Sequence, residues 1–144
     1  MPTHAEKRHL PYPPGDLYAL VADIEEYPEF LPWCAALRIK KRDGNQITAD
    51  MVIGFKMFRE RFTTRVTLTP ETRVDVEYLN GPFKYLNNHW IFEAAEDGGC
   101  TIDFYIDFEF RSALLQKAIG VVFNEAVGKM INAFETRAHK VLKP

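Results

Sequence analysis

The chain has little cysteine. Two thiols, Cys34 and Cys100, lie far apart among 144 residues, in no metal-ligand spacing. That argues against a disulfide framework and against a zinc site. No apolar run approaches the length of a membrane span. Met1 to Leu10 is polar and has no apolar signal-peptide centre. A net charge of −2 gives no general attraction to nucleic acid or anionic membrane, so any such contact needs a local patch. The patterns G-x-S-x-G, G-x-G-x-x-G, H-E-x-x-H and the P-loop are all missing. His4, His9, His89 and His139 pair with neither cysteine at metal spacing and read as solvated side chains. The expectation is a cytoplasmic protein that is no enzyme, with no catalytic residue, no metal and no required cofactor.

What the chain does have is aromatic bulk and a sharp change of period. Hydrophobic residues make up 47% and aromatics 13%, with 11 Phe. Cys100, Ile102, Phe104, Ile106, Phe108 and Phe110 alternate with Thr101, Asp103, Tyr105, Asp107 and Glu109. That is a long antiparallel strand with one wet face. Ser112 then reads as the N-cap of a helix that runs proline-free to Leu142. Its apolar residues, Leu115 to Val141, cover about half the circumference, against the roughly 100° a surface helix needs. The surplus must meet other helices or line a cavity.

Before that strand the chain reads as a meander. Thr3 to His9 is a weak strand. Asp16 reads as the cap of a short helix carrying Leu17, Leu20, Val21 and Ile24. Tyr27 to Cys34, YPEFLPWC, is a kinked apolar connector because of its two prolines. Strand rows then follow: Leu37 and Ile39; Ile47 to Phe55; Phe58 to Leu68; Val74 to Tyr78; Leu86 to Phe92. Turns at Asp43-Gly44, Thr69-Pro70-Glu71, Asn80-Gly81-Pro82 and Asp97-Gly98-Gly99 separate them. No linker or repeat interrupts residues 1–144, so one domain is expected. Six or seven antiparallel strands curl. With one long helix to cover them, the predicted fold is α+β. It is a helix-grip, a curved sheet around the C-terminal helix, with two short helices after the first strand.

Four stretches, LPYPPGDLYALVADIEEYPEFLPWC, RFTTRV, NGPFKYLNNHW and IDFYIDFEFRSALLQKAIGVVF, together with the order of elements, resemble one family. The chain looks like a START or polyketide-cyclase protein, of the coenzyme Q-binding and ribosome-association-toxin branch. The resemblance spans Pro11 to Lys140. It implies a hydrophobic tunnel for a polyprenyl quinone or similar lipid, with ubiquinone as the bound ligand in support of respiration. It equally implies a ribosome-associating, toxin-like regulator. A cyclase-like enzyme ranks third.

Candidate site residues follow from the inward rows and this resemblance. Phe104, Phe108, Trp90, Phe123, Val127 and Met130 would line the cavity. Glu60, Thr64, Tyr78 and Asn88 are polar members of apolar rows; they either satisfy one another or hydrogen-bond a quinone ring. Phe30, Leu31 and Trp33 either form a membrane-facing gate or fill the core. On the outward rows Arg38, Lys40, Arg42, Arg59, Arg61 and Arg65 make a local basic field. It is a solvated face or a contact for a ribosomal subunit or lipid headgroups. No DNA partner is expected, and membrane contact would be transient, at the inner-membrane surface.

Overall fold

The computed structural model describes residues 3–31, 34–55 and 58–142, without the side chains at positions 55, 58, 119 and 121–124. The elements run β1 (Thr3–Leu10), α1 (Pro14–Ala22), a 3-10 turn (Ile24–Glu26) and α2 (Tyr27–Phe30). Then come β2 (Cys34–Asp43), β3 (Gln46–Phe55), β4 (Phe58–Thr69), β5 (Arg73–Asn80), β6 (Phe83–Ala94), β7 (Cys100–Phe110) and α3 (Ala113–Val141). The seven strands form one antiparallel sheet in the order β1-β7-β6-β5-β4-β3-β2. This is the helix-grip expected from the sequence: a meander whose last strand takes the first as its neighbour.

Local chemistry explains the element ends. The Ser112 hydroxyl accepts the Leu115 N–H at 3.2 Å and starts α3 where expected. Asp16 does not cap α1. That helix begins at Pro14, whose missing N–H costs nothing in a first turn, and Asp16 lies inside the turn. Gly81 sits at φ +147, where a Cβ would fall 2.5 Å from that of Phe62. Only glycine lets the β5–β6 turn fold down onto β4.

The period-two rows are the core. Cys100, Ile102, Phe104, Phe108 and Phe110 of β7 are all buried. They meet Leu17 and Val21 of α1 and Val127, Ile131, Phe134 and Ala138 of α3 in one cluster. β1 is less weak than its composition suggests. It pairs along its length with β7, from Thr3 opposite Asp107 to Leu10 opposite Cys100. Its charged residues are tied beneath the sheet's edge. Arg8 bonds Glu6 at 2.7 Å, Asn132 at 2.9 Å and Glu135 at 3.2 Å, joining the strand to α3. His4 is drawn into the same network by Glu6 at 3.0 Å, and His139 meets Tyr12, so neither is simply a solvated histidine.

Candidate functional site

Between α3 and the curved sheet lies a cavity of about 250 Å³. Its sheet wall is made by Leu37, Ala49, Met51, Ile53, Phe62, Val66, Val74, Val76, Phe83, Leu86, Trp90, Ile106, Phe108 and Phe110. Leu115, Ala126, Val127, Met130 and Phe134 of α3 form the roof. Ile24, Tyr27, Leu31 and Cys34 close one end. Aromatic contacts link the wall residues to one another. The Phe83 ring stacks on Phe110 at 4.6 Å and meets Phe62 and Phe108 edge-on at 5.3 and 5.4 Å. Trp90 packs against Phe134 of α3 at 4.8 Å.

A few polar groups interrupt this surface. Glu60 and Thr64 of β4 and Asn88 of β6 line the cavity. Thr64 is only 5% exposed. Asn88 donates its amide N–H to the Tyr105 carbonyl at 2.9 Å. Tyr27 donates its hydroxyl to the Val21 carbonyl, and the Cys34 thiol to the Ala36 carbonyl at 3.7 Å. Burial raises the Tyr27 phenol far above its ordinary range and pushes the Cys34 thiol up to about 11. Both therefore stay neutral at physiological pH.

The structure brings together most of the sequence-derived site. Leu31, Glu60, Thr64, Asn88, Trp90, Phe108, Val127 and Met130 all line the cavity. Three others do not. Phe104 lies behind Trp90, 4.6 Å from its ring, beside a second void of only about 20 Å³. Tyr78 is turned aside because its hydroxyl accepts the Phe83 N–H at 3.0 Å. Phe30 packs edge-on against Phe134 at 5.2 Å, with the Arg137 guanidinium 5.2 Å above its ring. Trp33 and the Phe123 side chain lie outside the described residues. Leu31 is only 8% exposed and belongs to the core, whereas Phe30 is half-buried and packs against the core from its edge. Tyr27, Cys34, Met51, Ile53 and Leu115 were missed as lining residues. All but Tyr27 and Cys34 carried a signal, since they continue the same inward rows or helix face.

The basic outer face also needs one correction. A register shift between Ile39 and Lys41 puts Arg42 opposite the buried Ile47, on the inner side of the sheet. There it pairs with Glu25. Arg65 pairs with Glu77 at 2.9 Å. Arg38, Lys40, Arg59 and Arg61 are exposed and form no ion pair among the described residues.

Comparison with known proteins places this architecture. Residues 10–135 match the family described as polyketide cyclase / dehydrase and lipid transport. The chain is 41% identical over 138 residues to the ribosome association toxin RatA of Rickettsia prowazekii (strain Madrid E), covering 93% of this chain and 94% of that protein. It is 32% identical over 135 residues to the mitochondrial coenzyme Q-binding protein COQ10 of Drosophila melanogaster, covering 91% of this chain and 56% of that one. A START superfamily protein from Mycobacterium smegmatis superposes with a TM-score of 0.82 at 14% identity, over 96% of this chain and 98% of that chain, a likeness of fold. Seven curved strands gripping one long helix over an apolar cavity, and a family match over most of its length, make this chain a member of the polyketide cyclase / dehydrase and lipid transport family.

Proposed function

We propose that the protein binds an apolar ligand between α3 and the sheet and sequesters or delivers it unchanged, with ubiquinone as the best candidate. The observation that carries this reading is the cavity of about 250 Å³, walled almost wholly by apolar side chains. An empty apolar cavity of about 150 Å³ already admits benzene. The larger space here suits a substituted ring with the first part of a tail. Each Å² of apolar surface removed from water contributes roughly 25 cal/mol. The similarity to a protein named for coenzyme Q binding supports the same choice. Among the described residues Glu60 is the sole carboxylate on the wall, so no pair of carboxylates faces a ligand for acid–base work. A role in respiratory electron transport, at the cytoplasmic side of a membrane, follows from that ligand. The test is lipid extraction and mass spectrometry of the purified protein after incubation with quinone-containing liposomes. Stoichiometric quinone is expected. Protein that returns no apolar molecule above a mock extraction overturns the proposal.

A second reading has its own observation. Arg38, Arg59 and Arg61 stand exposed on one half of the outer face, and Lys40 is exposed at the register shift beside them; none forms an ion pair among the described residues. Such a patch suits the phosphates of ribosomal RNA, and several similar proteins are named ribosome association toxins. Salt-sensitive co-sedimentation with ribosomal subunits is its test, and absence of the protein from the pellet at low salt removes it.

A further inference from the structure

We infer that the cavity selects its ligand through a hydroxyl donor and, on the quinone reading above, takes the reduced hydroquinone in preference to the oxidised quinone. The ground is which hydrogen-bonding groups remain free on the wall. The Tyr27 hydroxyl is spent on the Val21 carbonyl, the Cys34 thiol on the Ala36 carbonyl. One Asn88 amide N–H is spent on the Tyr105 carbonyl, which can only accept and so fixes the orientation of the amide. The Asn88 carbonyl oxygen is left as an acceptor. Glu60 adds a carboxylate on the cavity wall with no hydrogen bond or ion pair among the described residues.

Donors are fewer. Thr64, a residue only 5% exposed, lines the cavity; its hydroxyl has no side-chain partner among the described residues and can serve either way. The second Asn88 N–H and the Trp90 indole complete the set, and Trp90 also borders the smaller void. A quinone ring brings only acceptors, its carbonyl and ether oxygens. Set against Glu60, these repel. A hydroquinone brings two O–H donors, and a hydroxyl on a carboxylate makes a charge-assisted bond, about twice as strong as a neutral one. Its oxygens can still accept from Thr64. Glu60 would otherwise bear the desolvation cost of a ligand closing over it, and a hydroxyl relieves that cost.

The test is anaerobic calorimetry of the purified chain with three probes: a short-tailed benzoquinone, its hydroquinone, and the dimethyl ether of that hydroquinone. The hydroquinone is expected to bind about tenfold more tightly than the quinone. The ether, equal in ring and bulk but without donors, should bind like the quinone. A tenfold preference raises the two-electron potential of the bound pair by about 30 mV. Glu60→Gln, whose amide can turn a donor toward the ligand, should shrink the ratio to about twofold while quinone binding is kept or strengthened. Equal affinities, a tighter quinone, or an ether that binds like the hydroquinone overturn the inference and leave the apolar-ligand reading standing. No binding by any of the three sinks the quinone reading and this inference together.

Discussion

The inner face of the sheet has two ends built from the same alternating rows, yet one is solid and the other hollow. At the solid end Phe104, Ile102 and Cys100 lie under α1 and the C-terminal half of α3, and the space left is about 20 Å³. β1 is bolted to α3 there by the Arg8–Glu135 and Arg8–Asn132 bonds. At the hollow end Met51, Ile53, Thr64 and Val76 face Val127 and Met130 across about 250 Å³. Strand patterning is alike in both. What differs is the cover: α1 supplies a second layer at one end, whereas at the other α3 spans the space with only the 3-10 turn and α2 closing its edge. An apolar row thus becomes core or binding wall according to how much helix is available to lie on it.

The largest effect that tests this contrast is on stability. Phe104→Ala removes a ring 2% exposed, packed against Trp90 at 4.6 Å. It should cost about 3–5 kcal/mol. Met51→Ala trims a side chain that already faces open space and should cost less than about 2 kcal/mol. Urea denaturation of both variants checks the pair. Comparable losses would mean that the hollow end is as tightly packed as the solid one.

Ligand binding should respond the other way. Ala49 is 2% exposed and lines the cavity. Ala49→Phe places a ring in vacant space, so stability should change by less than about 1 kcal/mol, short of the usual cost of overpacking. Binding of a short-tailed quinone should fall about tenfold or more. Phe104→Ala, at subdenaturing temperature, should bind nearly as the parent does. A titration of both by calorimetry sharpens the division, and an Ala49→Phe protein that binds normally would break it.

Much of this division was legible in residue order, and its failures have identifiable physical causes. The strands of period two, the Ser112 cap and the surplus apolar arc of α3 are local signals, and local signals survive folding. Thr64 and Asn88 could be placed on the cavity wall because their rows were clear; Glu60 was less secure, since a bulge near Lys56-Met57 would have turned it outward, yet it lines the cavity. Tyr78 belonged to such a row but is claimed by the Phe83 N–H across the Gly81 turn. That contact depends on how closely the turn approaches β4. Arg42 was misplaced by the register shift in β2, a single extra residue with no marker of its own. The inward charges of β1 hid the strand, because their partners Glu135 and Asn132 lie more than a hundred residues away. Phe104 was assigned to the cavity because a row gives the facing of a side chain and not which helix will cover it.

The outer face repeats the theme with charge. β2 and β4 carry Arg38, Arg59 and Arg61, unpaired among the described residues, whereas β5 carries Asp75 and Glu77, held by Arg73 and Arg65. Changing Arg59 and Arg61 together to Glu should leave stability within about 0.5 kcal/mol, since both are exposed and unpaired among the described residues. Quinone binding should be unaffected. Any salt-sensitive sedimentation with ribosomal subunits should vanish. Retained sedimentation would move the ribosome-facing surface elsewhere on the molecule.

The smallest expected effect, and the most local probe of the two ends, comes from the thiols. Cys34 closes the hollow end and Cys100, with no exposed surface, belongs to the solid one. Burial pushes both up to about 11 from an ordinary value of 9.0. In the unfolded chain they ionise near 9. Between about pH 9 and 11 the unfolded state therefore binds fewer protons than the folded one, and stability falls as pH rises through that window. Below pH 9 the full contribution is present, so urea midpoints should agree at pH 7 and pH 8 and drop at pH 10. Reactivity separates the two sites. A small neutral alkylating agent at pH 8 should label Cys34 slowly, because little of it is thiolate. An apolar ligand in the cavity should slow it further. Cys100 should label only as fast as the protein unfolds, with no response to ligand. Equal rates for the two thiols, or a Cys34 rate indifferent to a saturating quinone, would place that cysteine in the solid end and remove it from the wall of the site.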